Sequence, residues 1–576
     1  MRVLTTDEVR QAEEQALARA GNSPLVFIQR AGHAVAQFCA AHFKFRSVCV
    51  LCGTGKNGAR GIVAAQALAG VTEGVSVIVL ARSLENLEAD TAAFCSRLGR
   101  EPIWIDAEDG FQTPEVQEAL ESDLIIDAIC GHSSNAVTPL QKKAIEAVND
   151  AFGTIVSIDV PSGVDADQTR PFHESEHDAV FAHGIITFVA PRPAHVFGGL
   201  TSGPVAVSEL GVQPAFVPNK TGLQVITGQE VGIAFPPRPA DANKGNFGHV
   251  LVIAGSAGKA GGAALAGMAA LRTGAGLVTV ACPESIQDSV AGFAPELMTE
   301  ALAETETRSI AAAAGDAVDK IIAGKDVVVL GPGLSQHPET AEFVQSLVRR
   351  CALPLVLDAD GINAFAGRAG DLKPAAPGLF RVITPHPGEA ARLLGSSIKE
   401  VQSDRLQMAR RITNETGACA VLKGWRTVVA GASGETWINM TGNAAMAKGG
   451  SGDVLSGIIG ASLAREVANL APPPQAPAPD LQPPRSWMHE IYGTDSMEKQ
   501  RKYQAEQLER STMKGSAFLK DVSVAAGVHL HGMAGDMARD ELHENTVIAR
   551  DIMQNLAQSF HECELQMERA LFYLQK

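Results

Sequence analysis

The chain has 576 residues, 45% of them hydrophobic, and a net charge of −16. That length exceeds what one hydrophobic core serves, so two to four domains are expected. The negative balance gives no electrostatic case for nucleic acid or an anionic membrane, and no apolar run approaches the ~20 residues of a spanning helix. Met1 to Asp7 lacks a signal-peptide core, and the nine cysteines are scattered. Cys49 and Cys52 alone have CxxC spacing, inside an apolar strand candidate with no second pair, so a reduced, cytoplasmic protein is expected.

Thr5-Thr-Asp-Glu8 is a capping-box sequence opening an amphipathic helix through about Ala20. Short apolar runs follow at Val48–Cys52, Val75–Leu80, Leu124–Ile126, Ile155–Ile158 and Ile185–Val189. Helical stretches such as Gly61–Ala69 and Pro139–Asn149 lie between them. Strands alternating with helices predict a mostly parallel sheet covered on both faces, with ligands beyond the carboxyl ends of its strands. At the first such end, Val48-Cys-Val-Leu-Cys-Gly-Thr-Gly-Lys-Asn-Gly-Ala-Arg-Gly61 reads as strand, glycine-rich turn and helix, an anion-binding arrangement common to many dinucleotide-binding folds. Asp127 ends another strand, and Ser157-Ile-Asp-Val-Pro-Ser-Gly-Val-Asp165 a third. Asn57, Asp127 and Ser162 carry oxygen ligands suited to a hard cation, and equally suit turns and caps.

Gln213 to Pro239 is proline-bearing and weakly periodic, so the first domain is placed at 1–215, a linker at 216–239 and a second α/β domain at 240–576. Strand candidates resume at Val250–Ala254, Gly276–Ala281, Val327–Leu330, Pro354–Leu357, Val382–Thr384 and Ala420–Leu422. Several end in clusters that carry chemistry. Ala254-Gly-Ser-Ala-Gly-Lys-Ala-Gly-Gly feeds a helix Ala263–Thr273; Gly331-Pro-Gly-Leu334, Asp358-Ala-Asp-Gly-Ile-Asn363 and Thr384-Pro-His-Pro-Gly-Glu389 close other strands. Leu422-Lys-Gly-Trp-Arg-Thr427 offers Lys423 and the Thr427 hydroxyl to a phosphorylated nucleotide. The densest signal is Asn443-Ala-Ala-Met-Ala-Lys-Gly-Gly-Ser-Gly-Asp-Val-Leu-Ser-Gly457, a glycine loop into an apolar helix starting near Asp453. Its backbone N–H groups and helix dipole suit a phosphate, and Asp453 beside them is placed to take a proton from a hydroxyl. Taken singly, each of these residues also serves as a turn, cap or surface charge; together at one sheet edge they favour a nucleotide site. After Arg465 the order breaks: residues 465–515, with Ala471-Pro-Pro-Pro-Gln-Ala-Pro and a charged stretch Met497–Lys514 that suits an exposed helix, read as an insertion before patterning returns at Val522.

The ordered series Gly331-Pro-Gly-Leu, Asp358-Ala-Asp, Thr384-Pro-His-Pro-Gly-Glu, Leu422-Lys-Gly and Gly449-Gly-Ser-Gly-Asp-Val-Leu-Ser-Gly resembles the ribokinase-like superfamily, in the branch of ADP- or ATP-dependent NAD(P)H-hydrate dehydratases. The resemblance implies a phosphoryl group passed from ADP, with Mg2+, to the ring hydroxyl of hydrated NADH or NADPH (NADHX and NADPHX), then loss of phosphate, leaving AMP. It assigns the adenine nucleotide to Lys423, Gly424, Trp425, Arg426, Thr427 and Gly452, and the hydrate to Ala263, Gly333, His386 and Asp453, with Asp453 the catalytic base. This chain departs from many relatives in having Asn243 before Lys244 in place of His, and Ala444-Ala445 in place of a Pro-Gly pair.

The first half resembles the NAD(P)H-hydrate epimerases, Rossmann-like α/β domains that interconvert the R and S hydrates and are commonly fused ahead of the dehydratase. The resemblance puts K+ on Asn57, Asp127 and Ser162. It lines the hydrate site with Lys56, Asn57, Gly58, Ala59 and Arg60, with Gly131, His132, Ser133, Ser134, Asn135, Ala136 and Val137, and with Asp159. Here the departures are chemical: the family's Asn-Asn-Gly-Gly-Asp-Gly is Lys56-Asn-Gly-Ala-Arg-Gly61, and its Gly-Thr-Gly is Gly131-His-Ser133. The expected architecture is therefore a Rossmann-like α/β domain followed by a ribokinase-like α/β domain, acting on NADHX, NADPHX and ADP as a homo-oligomer. Three alternatives stay open: a dehydratase with a degenerate front half, a ribokinase-like small-molecule kinase, and a non-catalytic nucleotide-binding scaffold.

Overall fold

The computed structural model describes residues 1–20, 23–131, 137–169, 178–212, 222–470, 516–568 and 572–575. It divides into two compact units, Met1–Val225 with Arg569–Lys576, and Ile226–Glu568.

The first unit is built on β1 (Ser47–Cys52), β2 (Gly74–Val79), β3 (Ile103–Trp104), β4 (Leu124–Ala128), β5 (Thr154–Ile158), β6 (Gly184–Phe188) and β7 (Val205–Ser208). They lie in the order β3-β2-β1-β4-β5-β6-β7, all parallel, and strand Phe572–Gln575 joins antiparallel beside β7. Near-continuous apolar strands such as Val48–Cys52 are buried on both faces, as parallel sheets require. The chain runs outward in opposite directions from β1 and β4, so these neighbours form the switch point where α/β sheets bind ligands. The capping box is present at the first helix, Thr6–Ala20: the Thr5 amide donates to Glu8 Oε2 at 2.9 Å.

The second unit uses β9 (His249–Ile253), β10 (Leu277–Pro283), β11 (Met298–Leu302), β12 (Val327–Leu330), β13 (Leu355–Leu357), β14 (Arg381–Ile383), β15 (Cys419–Leu422), β16 (Val428–Ala430) and β17 (Thr436–Ile438). Their order is β11-β10-β9-β12-β13-β14-β15-β16-β17, parallel as far as β15 and antiparallel beyond it. Helix Ser451–Leu470 packs against helices Ala260–Thr273 and Ser516–Glu541. Small residues permit that approach: a Cβ on Gly457 would meet the Ala266 carbonyl at 2.1 Å.

The elements differ from the sequence expectation in places with physical causes. The stretch read as linker contains β8 (Leu223–Val225), whose Val225 amide donates to the Met1 carbonyl at 2.7 Å, and a capped helix Gly228–Ala234, so the second unit opens at Ile226. The insertion does not begin at Arg465; the helix runs to Leu470, with Arg465 buried and donating to the Pro236 carbonyl. Residues 471–515, with the expected exposed helix, lie outside the described residues. The unforeseen strands β3 and β11 are two residues long and largely exposed, respectively, so neither carries a strong apolar pattern.

Candidate active sites

In the second unit the sequence motifs meet around one buried carboxylate. Asp358 follows β13 and is 1% exposed. It accepts from the Lys423 ammonium at 2.8 Å, the Thr384 hydroxyl at 2.7 Å and the Ser456 hydroxyl at 2.6 Å. Burial pushes its carboxyl up, but Lys423 and these bonds outweigh that and hold it below the usual carboxylate value. Lys423 also lies 3.8 Å from Glu389, and burial, which opposes its charge, is outweighed by the two carboxylates, so its pKa is raised. Only glycine fits beside Asp358: at Gly331, φ is 135° and a Cβ would meet the Asp358 carbonyl at 1.8 Å.

Asp453 stands in the first turn of helix Ser451–Leu470, where N–H groups lack intrahelical partners. Its carboxyl is pushed up to about 6, first by burial and then by the charge of Asp358, with Lys423 opposing. A Cβ on Gly262 would come within 3.1 Å of Asp453 Oδ2, and one on Gly452 within 3.3 Å of Lys423 Nζ. The carboxylate, the ammonium and the start of helix Ala260–Thr273 therefore share one locus. Ala263 is buried in that helix, and Gly333 lies against Lys259, which pairs with Asp360 at 3.3 Å. His386 caps helix Pro387–Leu394, accepting from the Gly388 amide at 3.0 Å, with its other ring nitrogen 3.3 Å from Glu389. Burial, ahead of the opposing charge of Glu389, keeps that imidazole below its usual pKa.

The nucleotide candidates after β15 form a tight turn. The Thr427 hydroxyl donates to the Gly424 carbonyl at 3.0 Å, Trp425 is 57% exposed, and the Arg426 guanidinium lies 5.0 Å from the Trp425 ring while donating to the Met440 carbonyl. The Thr427 hydroxyl thus shapes the turn in addition to any part in holding a ligand. Asn243 accepts from the Gly245 amide at 2.9 Å, so the departure there still caps its turn.

The first unit gathers its candidates at the β1–β4 switch point. Gly58 opens helix Lys56–Leu68, where a Cβ would meet the Gly53 carbonyl at 2.0 Å, and Lys56 is exposed at that helix start. Asp127 is fully buried and accepts from the Ile129 and Ser162 amides and the Ser157 and Ser162 hydroxyls. All these donors are neutral, and burial raises its carboxyl above the usual value. Asn57 donates through Nδ2 to the carbonyls of Cys130 and Ile158 at 2.8 and 3.0 Å. Those two acceptors fix the amide's orientation and leave Oδ1 buried with no hydrogen-bond partner among the described residues. The Ser162 hydroxyl also reaches the Cys130 carbonyl, so Asn57, Asp127 and Ser162 meet at one point. Gly131 and Val137 flank the residues 132–136, and His132, Ser133, Ser134, Asn135 and Ala136 lie outside the described residues.

Arg60 turns inward. Its guanidinium is 3.9 Å from Asp159 Oδ2, 3.5 Å from Glu13 and 4.7 Å from the centre of the Phe188 ring. Asp159 is buried at φ 72° and also receives the Thr187 hydroxyl and Arg192. Burial pushes the Cys49 thiol up to about 12 and raises the Cys52 thiol well above its ordinary value, so neither is a reactive thiol at neutral pH.

Residues 250–511 match the family model described as NAD(P)H-hydrate dehydratase, and residues 24–194 the one described as YjeF-related protein N-terminus. The bifunctional NAD(P)H-hydrate repair enzyme of Moorella thermoacetica is 32% identical over 99% of this chain and 98% of its own. This chain belongs to that family. The repair enzyme of Escherichia coli is 34% identical over 80% of this chain and 85% of its own. A solved structure of the ADP/ATP-dependent NAD(P)H-hydrate dehydratase of Bacillus subtilis, co-crystallised with ATP and Mg2+, is 24% identical over 59% of this chain and 99% of that one, at a TM-score of 0.42.

As a bifunctional NAD(P)H-hydrate repair enzyme, the chain has an epimerase domain and a dehydratase domain. Four polar partners in the dehydratase centre went unassigned from sequence: Thr384, Glu389, Ser456 and Lys259. Ser456 carried a signal, since it follows Asp453 by three residues and shares its helix face. The others depend on long-range pairing, which a single sequence does not display.

Proposed function

We propose that the second unit dehydrates the S hydrates of NADH and NADPH with ADP as phosphoryl donor, and that the first unit epimerises the R hydrates to S. The observation that carries the dehydratase reading is Asp453, a carboxyl pushed up to about 6 beside the Lys423 ammonium at the mouth of a glycine loop. Such a group is ionised at neutral pH yet basic enough to accept a proton. Asp453 takes the proton from the ring hydroxyl as its oxygen bonds to the terminal phosphorus of ADP, and the bond to the bridging oxygen breaks, releasing AMP. The ring C–O bond then breaks with loss of orthophosphate. The neighbouring carbon gives up a proton and its electron pair forms the ring double bond. Lys423 and the Gly449–Gly452 amides face charge on the phosphoryl group during transfer.

Among the described residues no three His, Cys, Asp or Glu side chains form a metal site. Mg2+ would be held largely by the nucleotide phosphates and water and would supply charge neutralisation there. In the first unit the orphaned Asn57 Oδ1 and the Asp127 carboxylate suit K+, with Ser162 completing the set. No described helix is long and apolar enough to cross a membrane.

The test is Asp453→Asn. Turnover of the S hydrate, followed as restored dihydronicotinamide absorbance, is expected to fall about 10²–10⁴-fold with nucleotide binding retained. Unchanged turnover would remove Asp453 as the base. Orthophosphate released in step with NADH separates the dehydratase from a small-molecule kinase, which leaves a stable phosphate ester.

A further inference from the structure

The polar bonds of Asp358 connect three separate segments. Lys423 follows β15, Thr384 follows β14, and Ser456 lies one turn beyond Asp453 on helix Ser451–Leu470. Ser456 also donates to the Gly452 carbonyl at 3.0 Å, linking the first turn of that helix to the same carboxylate. We propose that Asp358 is the positioning residue of the dehydratase centre, tying the Lys423 ammonium to the helix that carries Asp453 so that cation and proton acceptor keep a fixed separation. This rests on the reading of Asp453 as the base.

The surroundings leave Asp358 little freedom. It is buried, the chain on its sheet side is held by Gly331, and its three side-chain bonds are all 2.8 Å or shorter. On the other side, Gly452 leaves room for Lys423 Nζ, 3.3 Å from where a Cβ would stand. A lysine without that anchor has four rotatable bonds and is left with the more distant Glu389, at 3.8 Å, to keep it beside the glycine loop. Asp453 faces Asp358, Lys423, Asp360 and Glu389, with Lys259 paired to Asp360 and neutral His531 at 3.3 Å from the Ser451 hydroxyl. Burial raises its carboxyl, and the charge of Asp358 adds to that, so removal of that charge lets Asp453 ionise at lower pH.

The experiment compares Asp358→Asn and Ser456→Ala with Asp453→Asn in the full chain, measuring kcat, nucleotide KM and the pH profile with the S hydrate, ADP and magnesium. Asp358→Asn is expected to lower kcat about 10²-fold, raise the nucleotide KM and move the acid limb to lower pH. Ser456→Ala cuts only the tie to the base helix, so it is expected to lower kcat while the KM and the acid limb stay in place. A wild-type kcat and acid limb in Asp358→Asn would overturn the positioning role. If thermal melts show that variant unfolded, Ser456→Ala decides, and an unchanged kcat there overturns it. Retained turnover in Asp453→Asn would instead overturn the base assignment, whatever the other variants do.

Discussion

Asp127 in the first unit and Asp358 in the second occupy similar places, each at the carboxyl end of a parallel strand and each buried. Both accept several hydrogen bonds, yet their carboxyls shift in opposite directions, Asp127 up and Asp358 down. The difference lies in the donors. Asp127 receives only hydroxyls and amides, whereas Asp358 receives the Lys423 ammonium as well. Neutral hydrogen bonds recover part of the desolvation cost of a buried carboxylate, and an opposite charge recovers more. The second unit sets its own cation beside the carboxylate, whereas the donors to Asp127 among the described residues are neutral.

The contrast breaks most sharply at Lys423. Lys423→Met leaves Asp358 buried without its counter-charge and is expected to destabilise the second unit by about 3–5 kcal/mol. The double variant Lys423→Met with Asp358→Asn should recover much of that loss, because no buried charge is then left alone. Chemical denaturation of the four proteins checks both, and a single-variant loss under about 1 kcal/mol, the worth of an exposed pair, would show that Lys423 does not support Asp358. The pH dependence follows from the depressed Asp358 carboxyl. Its contribution is present above the unfolded carboxylate value near about 4 and is lost as pH falls through the lower folded value. Asp453 adds an acid-side loss at higher pH, in turnover: with its carboxyl at about 6, the ionised base is depleted as pH falls, so kcat/KM should drop on the acid side of that value. A flat profile from pH 5 to 7 would rule out its titration as the controlling step.

The architecture was largely readable because parallel strands are continuous apolar runs, and Val48–Cys52 or Val327–Leu330 announce themselves. Most of the dehydratase candidates were also readable as motifs, since glycine loops and Lys423 follow strands and Asp453 opens a helix, in order. What the sequence did not display was direction. Arg60 read as a charge reversal lining the hydrate site, and in the fold its partners are Asp159, Glu13 and the Phe188 ring. Glu13 is 47 residues from Arg60 in sequence, and nothing local pairs them. Thr427 read as a hydroxyl offered to a nucleotide and, in addition, closes its own turn; the strand Phe572–Gln575 returns to the first sheet from the far end of the chain. The Arg60 and Phe572–Gln575 contacts are non-local, invisible to periodicity and spacing, whereas the Thr427 turn spans three residues.

The smallest expected effect is the most specific to the first unit. Because the Asp127 carboxyl is raised, its protonated form is the one the fold favours: that contribution is complete below the unfolded value and is lost as pH rises through the folded one. On the proposed reading, potassium bound beside the ionised carboxylate would act in reverse, favouring the native state more as pH rises. Replacing Na+ by K+ at constant ionic strength should therefore raise the unfolding midpoint of the first unit at pH 7 and do less at pH 4. At ten times its dissociation constant the ion would add about 1.4 kcal/mol. Asn57→Leu removes the unpartnered Oδ1 and should abolish the difference between the two salts, even though the variant is less stable in both. An equal potassium gain in that variant would place the ion away from Asn57, and no gain in the wild-type chain would leave Asp127 a purely structural carboxyl.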